Sequence, residues 1–104
     1  MCGIIGYIKK QTKTYDKQIF KALSSLKTRG PNHQEIKKYD NVVLGHTRLS
    51  ILDLSDDSNQ PMEYGRYSLI YNGEIYNYKE LKEELKQYGY TFDTSGDTEV
   101  LLKS

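Results

Sequence analysis

The chain has 104 residues, about one small domain, and at that size roughly 60–70% of the unfolded surface can be buried, enough for a thin core. Its 28% charged and 37% hydrophobic residues fit a soluble globular protein, and a net charge of +1 excludes the field that would draw it to nucleic acid or an anionic membrane. No apolar run approaches the ~20 residues that span a bilayer, the start lacks the regions of a signal peptide, and a single cysteine excludes a disulfide framework or a CxxC metal site, so the expected location is the cytoplasm.

Cys2-Gly-Ile-Ile-Gly-Tyr-Ile is too short for a helix and rich in Ile, and reads as a buried strand. Over residues 16–27, Ile19, Phe20, Leu23 and Leu26 recur at helical spacing, which predicts a helix with one buried face. Arg29-Gly-Pro-Asn ends it, because Pro31 disfavours helical geometry at Gly30. Strand-like runs over 35–39 and 42–48 flank Asp40-Asn41 and predict a hairpin. Residues 55–61 are polar and turn-rich, hence a loop, and 67–71 are strand-like again, running into Asn72-Gly73. Asn77 is placed to cap a helix, with Glu80 three residues on as in a capping box, Leu81, Leu85 and Tyr88 as its buried stripe and Gly89 as its end. Residues 90–93 read as a short strand, and Asp97 or Thr98 caps a helix beginning at Glu99. The chain stops at Ser104 within the first turns of that helix, so the ending is expected to be a cut. Strands outnumber helices and hairpins imply antiparallel pairing, which makes the expected class α+β with helices packed on a sheet.

Several residues carry possible chemistry. Removal of Met1 would leave Cys2 with a thiol beside a free α-amine, whose ordinary pKa of about 7.7–8.0 lets it take the thiol proton, so nucleophile and base sit on one residue. The alternative is a small buried hydrophobe at the start of a strand. Asn72-Gly73-Glu74 after an apolar strand reads as a hairpin turn, as an oxyanion hole built from the Asn72 amide and the Gly73 N–H, or as both. Arg48 at the end of a strand would grip a carboxylate bidentately or form a surface ion pair. Asp97 at a helix start would act as an N-cap or, with Glu74, accept a substrate ammonium. His33 and His46 are isolated and read as structural, and no metal spacing is present. Taken together these groups ask for a substrate with an α-carboxylate, an α-ammonium and a carbonyl to attack, and glutamine has all three.

The order of motifs is more specific. Met-Cys-Gly-Ile-Ile-Gly, Arg29-Gly-Pro, Gly45-His-Thr-Arg-Leu-Ser-Ile-Leu-Asp-Leu, Asn59-Gln-Pro-Met, Asn72-Gly-Glu-Ile-Tyr-Asn and Ser95-Gly-Asp-Thr-Glu resemble the N-terminal class II glutamine amidotransferase (glutaminase) domain of glutamine-hydrolysing asparagine synthetases. The resemblance covers essentially the whole chain and implies an N-terminal nucleophile hydrolase fold, with two antiparallel sheets stacked between helical layers, of which residues 1–104 are the N-terminal portion. It also implies Cys2 as nucleophile, Asn72 and Gly73 as the oxyanion hole, Arg48 on the glutamine carboxylate and Glu74 and Asp97 on its amino group. Backbone groups near Ile51 and Leu52 would line the pocket.

By the same resemblance, glutamine is hydrolysed to glutamate and ammonia through a Cys2 thioester, without a cofactor. The ammonia serves a synthetase domain that uses ATP and Mg2+ and is not in this chain. The alternatives are a catalytically incomplete interaction module and an amidotransferase for another acceptor. The family's domain is considerably longer, so unpaired sheet edges and apolar surface are expected to drive self-association. In the family Arg-Gly-Pro is usually followed by Asp; here Asn32 follows, and Glu35 stands where a Gly is common.

Overall fold

The Ile-rich N-terminal run forms strand β1 (Gly3–Ile8), and the amphipathic segment after it forms helix α1 (Asp16–Ser25). The computed structural model describes residues 2–9, 16–50 and 54–104. Strands β2 (His33–Lys38) and β3 (Val42–Arg48) make the hairpin expected around Asp40-Asn41, although β2 begins two residues earlier than the apolar pattern indicated. The sheet order is β1-β3-β2, antiparallel throughout.

Register decides what each face of this sheet carries. Ile5, Gly45 and Ile36 are aligned, and a Cβ at Gly45 would touch Ile5 and Leu23, so this is the face that α1 covers. Leu23 is fully buried there and Ile19 nearly so. Alternation sends Ile4, His46 and Arg48 to the opposite face. Phe20, expected in the buried stripe, is 60% exposed. The helix packs mainly on β1 and β3, and the face carrying Ile19 and Leu23 uses that contact, which leaves Phe20 outside it.

The second half is less regular. A 3-10 turn at Asp56–Ser58 interrupts the expected loop. Strand β4 (Met62–Tyr64), which periodicity missed, pairs with β5 (Tyr67–Leu69), two residues shorter than the expected strand. Asn72-Gly73 is not a hairpin turn: no strand follows it, and Gly73 is not among the glycines with positive φ, which a type I′ turn requires.

Helix α2 (Tyr78–Gln87) starts after Asn77, but no side-chain cap bond forms there, so the capping box is not made. Its end is a Schellman motif, with Gly89 at φ 95° and the Gly89 and Tyr90 N–H groups donating to Lys86 and Leu85 carbonyls. Tyr88, expected in the stripe, is the C-cap and 75% exposed. Residues 90–93 form no strand. The Asp93 and Thr94 N–H groups donate to the Glu99 carboxylate, and Lys103 donates to the Thr91 carbonyl. Helix α3 (Asp97–Lys103) begins two residues before Glu99, with Gly96 as N-cap. It packs on α2, β4 and β5, with Val100 fully buried. The class is therefore α+β, with antiparallel sheets and, among the described residues, three α-helices, as the sequence implied. No helix among the described residues is long and apolar enough to cross a membrane.

Candidate active site

Five segments distant in sequence converge at one cavity of about 330 Å³: Cys2 before β1, the end of β3, Ser58 with Gln60, residues 71–76, and the N-terminus of α3. Cys2, Arg48, Asn72, Gly73, Glu74 and Asp97 all line it. The sequence named these six, and the fold brings all six together. Ile51 and Leu52, also named, lie outside the described residues, as does Met1.

Cys2 is half-buried one residue before the β1–β3 ladder begins. The Leu49 N–H donates to its Sγ at 3.3 Å, which holds the sulfur at the end of β3. Arg29 Nε donates to the Cys2 carbonyl at 3.3 Å, and the Gly3 N–H donates to Thr47 Oγ1 at 3.0 Å, so both polar groups of the peptide that follows Cys2 are held.

The Arg29-Gly-Pro segment is pressed against β3. A Cβ at Gly30 would lie 2.3–2.6 Å from the Thr47 and Arg48 backbone, which only glycine avoids. Asn32 follows, its N–H donating to the Arg48 carbonyl at 2.9 Å and its Oδ1 accepting the Ser50 N–H at 3.0 Å. An acceptor oxygen is all that this contact uses, and an Asp carboxylate would supply the same. The departure at 32 thus leaves the local bonding intact. Glu35 pairs with His33 at 3.1 Å.

Arg48 is 6% exposed at the end of β3. Its Nη1 donates to the Ser55 carbonyl at 2.6 Å and to Asn59 Oδ1 at 2.8 Å. These anchors fix the plane of a guanidinium that lines the cavity, the preorganisation that a carboxylate clamp needs. At that burial it is not a surface group, as its alternative reading required.

Asp97 is not a cap. It sits in the first turn of α3, 7% exposed, with Oδ2 accepting the Ile75 N–H at 2.9 Å, so it ties α3 to the 72–75 segment. Glu74 is exposed on the same cavity. Tyr71 lies between: burial raises its phenol above the ordinary tyrosine value, and the negative charges of Asp97 and Glu74 add to that. The Tyr71 ring also packs at Gly73, where a Cβ would meet its Oη at 2.6 Å, so a side chain at 73 would have to push the ring aside.

Sequence reasoning missed Leu49, whose N–H carries no signature, and gave no role to Asn59 and Gln60. Those two stood in plain view as polar residues before Pro61 in a motif. Neither His33, paired with Glu35, nor His46, fully buried, lines the cavity. Burial pushes the His46 imidazole down from 6.5 to about 4, so it is neutral at physiological pH.

The chain belongs to the glutamine amidotransferase domain family, whose model matches residues 1–104. Its relatives include glutamine-hydrolysing asparagine synthetase 1 of Bacillus subtilis (strain 168), 43% identical over 98% of this chain and 17% of that protein. A putative glutamine-hydrolysing asparagine synthetase 2 of Methanocaldococcus jannaschii is 38% identical over 99% of this chain and 23% of its own length. Glutamine-hydrolysing asparagine synthetase B of Escherichia coli (strain K12) is 36% identical over 98% and 19%. The chain thus spans about a fifth of the length of these relatives.

Proposed function

We propose that this cavity hydrolyses glutamine to glutamate and ammonia through a thioester on Cys2. The observation that carries the reading is the gathering of Cys2, Arg48, Asn72, Gly73, Glu74 and Asp97 on one cavity. Arg48, held by Asn59 and the Ser55 carbonyl, receives the α-carboxylate; Asp97 and Glu74 receive the α-ammonium. With both ends fixed, the side-chain carboxamide lies toward Cys2.

Once Met1 is removed, the Cys2 amine takes the thiol proton and the sulfur bonds to the carboxamide carbon. The Asn72 amide and Gly73 N–H face the oxyanion, a contact whose loss typically costs about 10²–10³ in turnover. The protonated amine returns its proton to the leaving nitrogen, and ammonia departs. Water then cleaves the thioester to glutamate and free thiol. These steps use no cofactor; ATP and Mg2+ would serve a synthetase domain that receives the ammonia for asparagine formation, as the relatives' names imply. A cytoplasmic location suits a protein whose one cysteine must stay reduced.

We also propose self-association through β1, an edge strand with Ile4 47% and Ile8 65% exposed. A single monomeric species in sedimentation well above micromolar concentration would count against it.

Intact mass before and after exposure to a glutamine-mimicking diazo ketone tests the site. The expected result is a starting mass lacking Met1 and one adduct that Cys2→Ala abolishes. A retained Met1, or a processed chain that gains no adduct, overturns the reading in favour of a non-catalytic interaction module.

A further inference from the structure

Two buried side chains that the hydrolysis steps do not use hold the backbone of Tyr71 from both sides. Gln60, 5% exposed, accepts the Tyr71 N–H at 2.5 Å through Oε1, while its Nε2 donates to Thr98 Oγ1 at 3.3 Å in the first turn of α3. His46, with no exposed surface, donates Nε2–H to the Tyr71 carbonyl at 3.2 Å.

That carbonyl belongs to the planar peptide joining Tyr71 to Asn72, so holding it fixes the Asn72 N–H and Cα, the base from which the Asn72 side chain and the following Gly73 N–H extend. On the far side of the same segment, Asp97 holds the Ile75 N–H. No strand pairing supports residues 70–77, so these side-chain bonds replace a ladder.

The state of His46 strengthens the case. Its Nδ1 is buried with no hydrogen-bond partner among the described residues, which is destabilising. An apolar side chain would fill the space without that cost. What imidazole adds is the Nε2–H on Tyr71.

We propose that His46 and Gln60 are positioning residues that clamp Tyr71 and thereby aim the Asn72 and Gly73 donors at the oxyanion. The inference rests on the glutaminase reading of this cavity. Donors displaced by a fraction of an ångström still admit glutamine but stabilise the tetrahedral intermediate less.

The test is ammonia release from glutamine by the 104-residue chain. His46→Leu and Gln60→Leu are expected to lower kcat about tenfold or more with KM within about threefold. His46→Gln, which keeps an N–H donor, and Gln60→Glu, which keeps the acceptor, should restore most of the loss. Unchanged kcat in the leucine variants, or no recovery in the conservative pair, overturns the proposal.

Amide hydrogen exchange separates this from failure of the glutaminase reading. If the wild-type chain releases no ammonia and takes no diazo-ketone adduct, that reading fails, and exchange alone decides whether the clamp exists. At least a tenfold loss of protection at the Tyr71 amide in Gln60→Leu, with β3 amides unchanged, supports it. Unchanged Tyr71 protection overturns it.

Discussion

The two halves of the molecule are held by different forces. In the first, the strands β1, β2 and β3 make a backbone ladder with the amphipathic α1 on one face, and Leu23, Ile19 and Val43 fill the contact. Residues 54–104 have a 3-10 turn, a short hairpin and two helices, and their loops are fixed by buried polar side chains reaching backbone groups: Arg48, Gln60, Asp97, Glu99, Lys103 and His46. Most of the cavity lining comes from the second kind of structure. A ladder is tolerant, because each bond has neighbours that share its work. A loop held by one carboxylate depends on that carboxylate, and it can point donors where no regular element would.

The sharpest way to break this comparison is at Glu99. It accepts from Asp93, Thr94 and Lys103 and is nearly buried with Lys103, so Glu99→Ala strands several donors at once. The expected loss is about 4 kcal/mol in chemical denaturation; less than about 1 would mean that the 90–96 loop holds itself. Burial pushes this carboxyl up, but Lys103 and the backbone donors outweigh it and leave it below the ordinary Glu value, so its contribution is lost in acid.

Leu23→Ala attacks the ladder half. Removing a fully buried leucine should cost about 3 kcal/mol. If the Tyr71 amide stays protected while β3 amides lose protection, the two halves open separately; loss at both makes them one cooperative unit.

Acid acts on the joint between the halves. The folded chain keeps His46 neutral down to about pH 4, whereas the unfolded chain protonates it near 6.5. Between those values the unfolded state binds the extra proton, so about 2 to 3 kcal/mol present above pH 6.5 is lost as pH falls to 4. His46→Leu should remove that part of the pH dependence in denaturation curves, and an unchanged profile would assign it elsewhere. The smallest effect belongs to Phe20→Ser, expected to shift stability by no more than about 0.5 kcal/mol because the ring is exposed. A loss above about 1 kcal/mol would return Phe20 to a buried contact, in this chain or between copies.

Legibility in the sequence followed the same division. β1, α1, the 40–41 hairpin and β3 were read with boundaries nearly right, because apolar periodicity is the signal of elements that bury one face. Errors came where apolar residues were taken to be buried: at Phe20 and Tyr88 on helix spacing, and in β1, read as a buried strand but carrying exposed Ile4 and Ile8. An apolar pattern does not say how wide a surface the neighbours offer. β4 was missed although Gly65 between Tyr64 and Tyr67 is turn chemistry between strand formers. Asn72-Gly73 misled in the other direction, for Tyr71 is held by Gln60 and His46 and not by a partner strand.

The sequence by itself determined the fold class and six of the residues that line the cavity, because residue type and motif order are local and readable. It also carried the family, now placed by the match over residues 1–104. Only the tertiary structure decided how those six are aimed. Leu49 offers its N–H to sulfur, Asn59 fixes Arg48, and Asp97 serves Ile75 instead of capping α3. The reason is physical: a backbone N–H or a loop amide has the same chemistry at every position, and the neighbour it meets is set by chain segments tens of residues away.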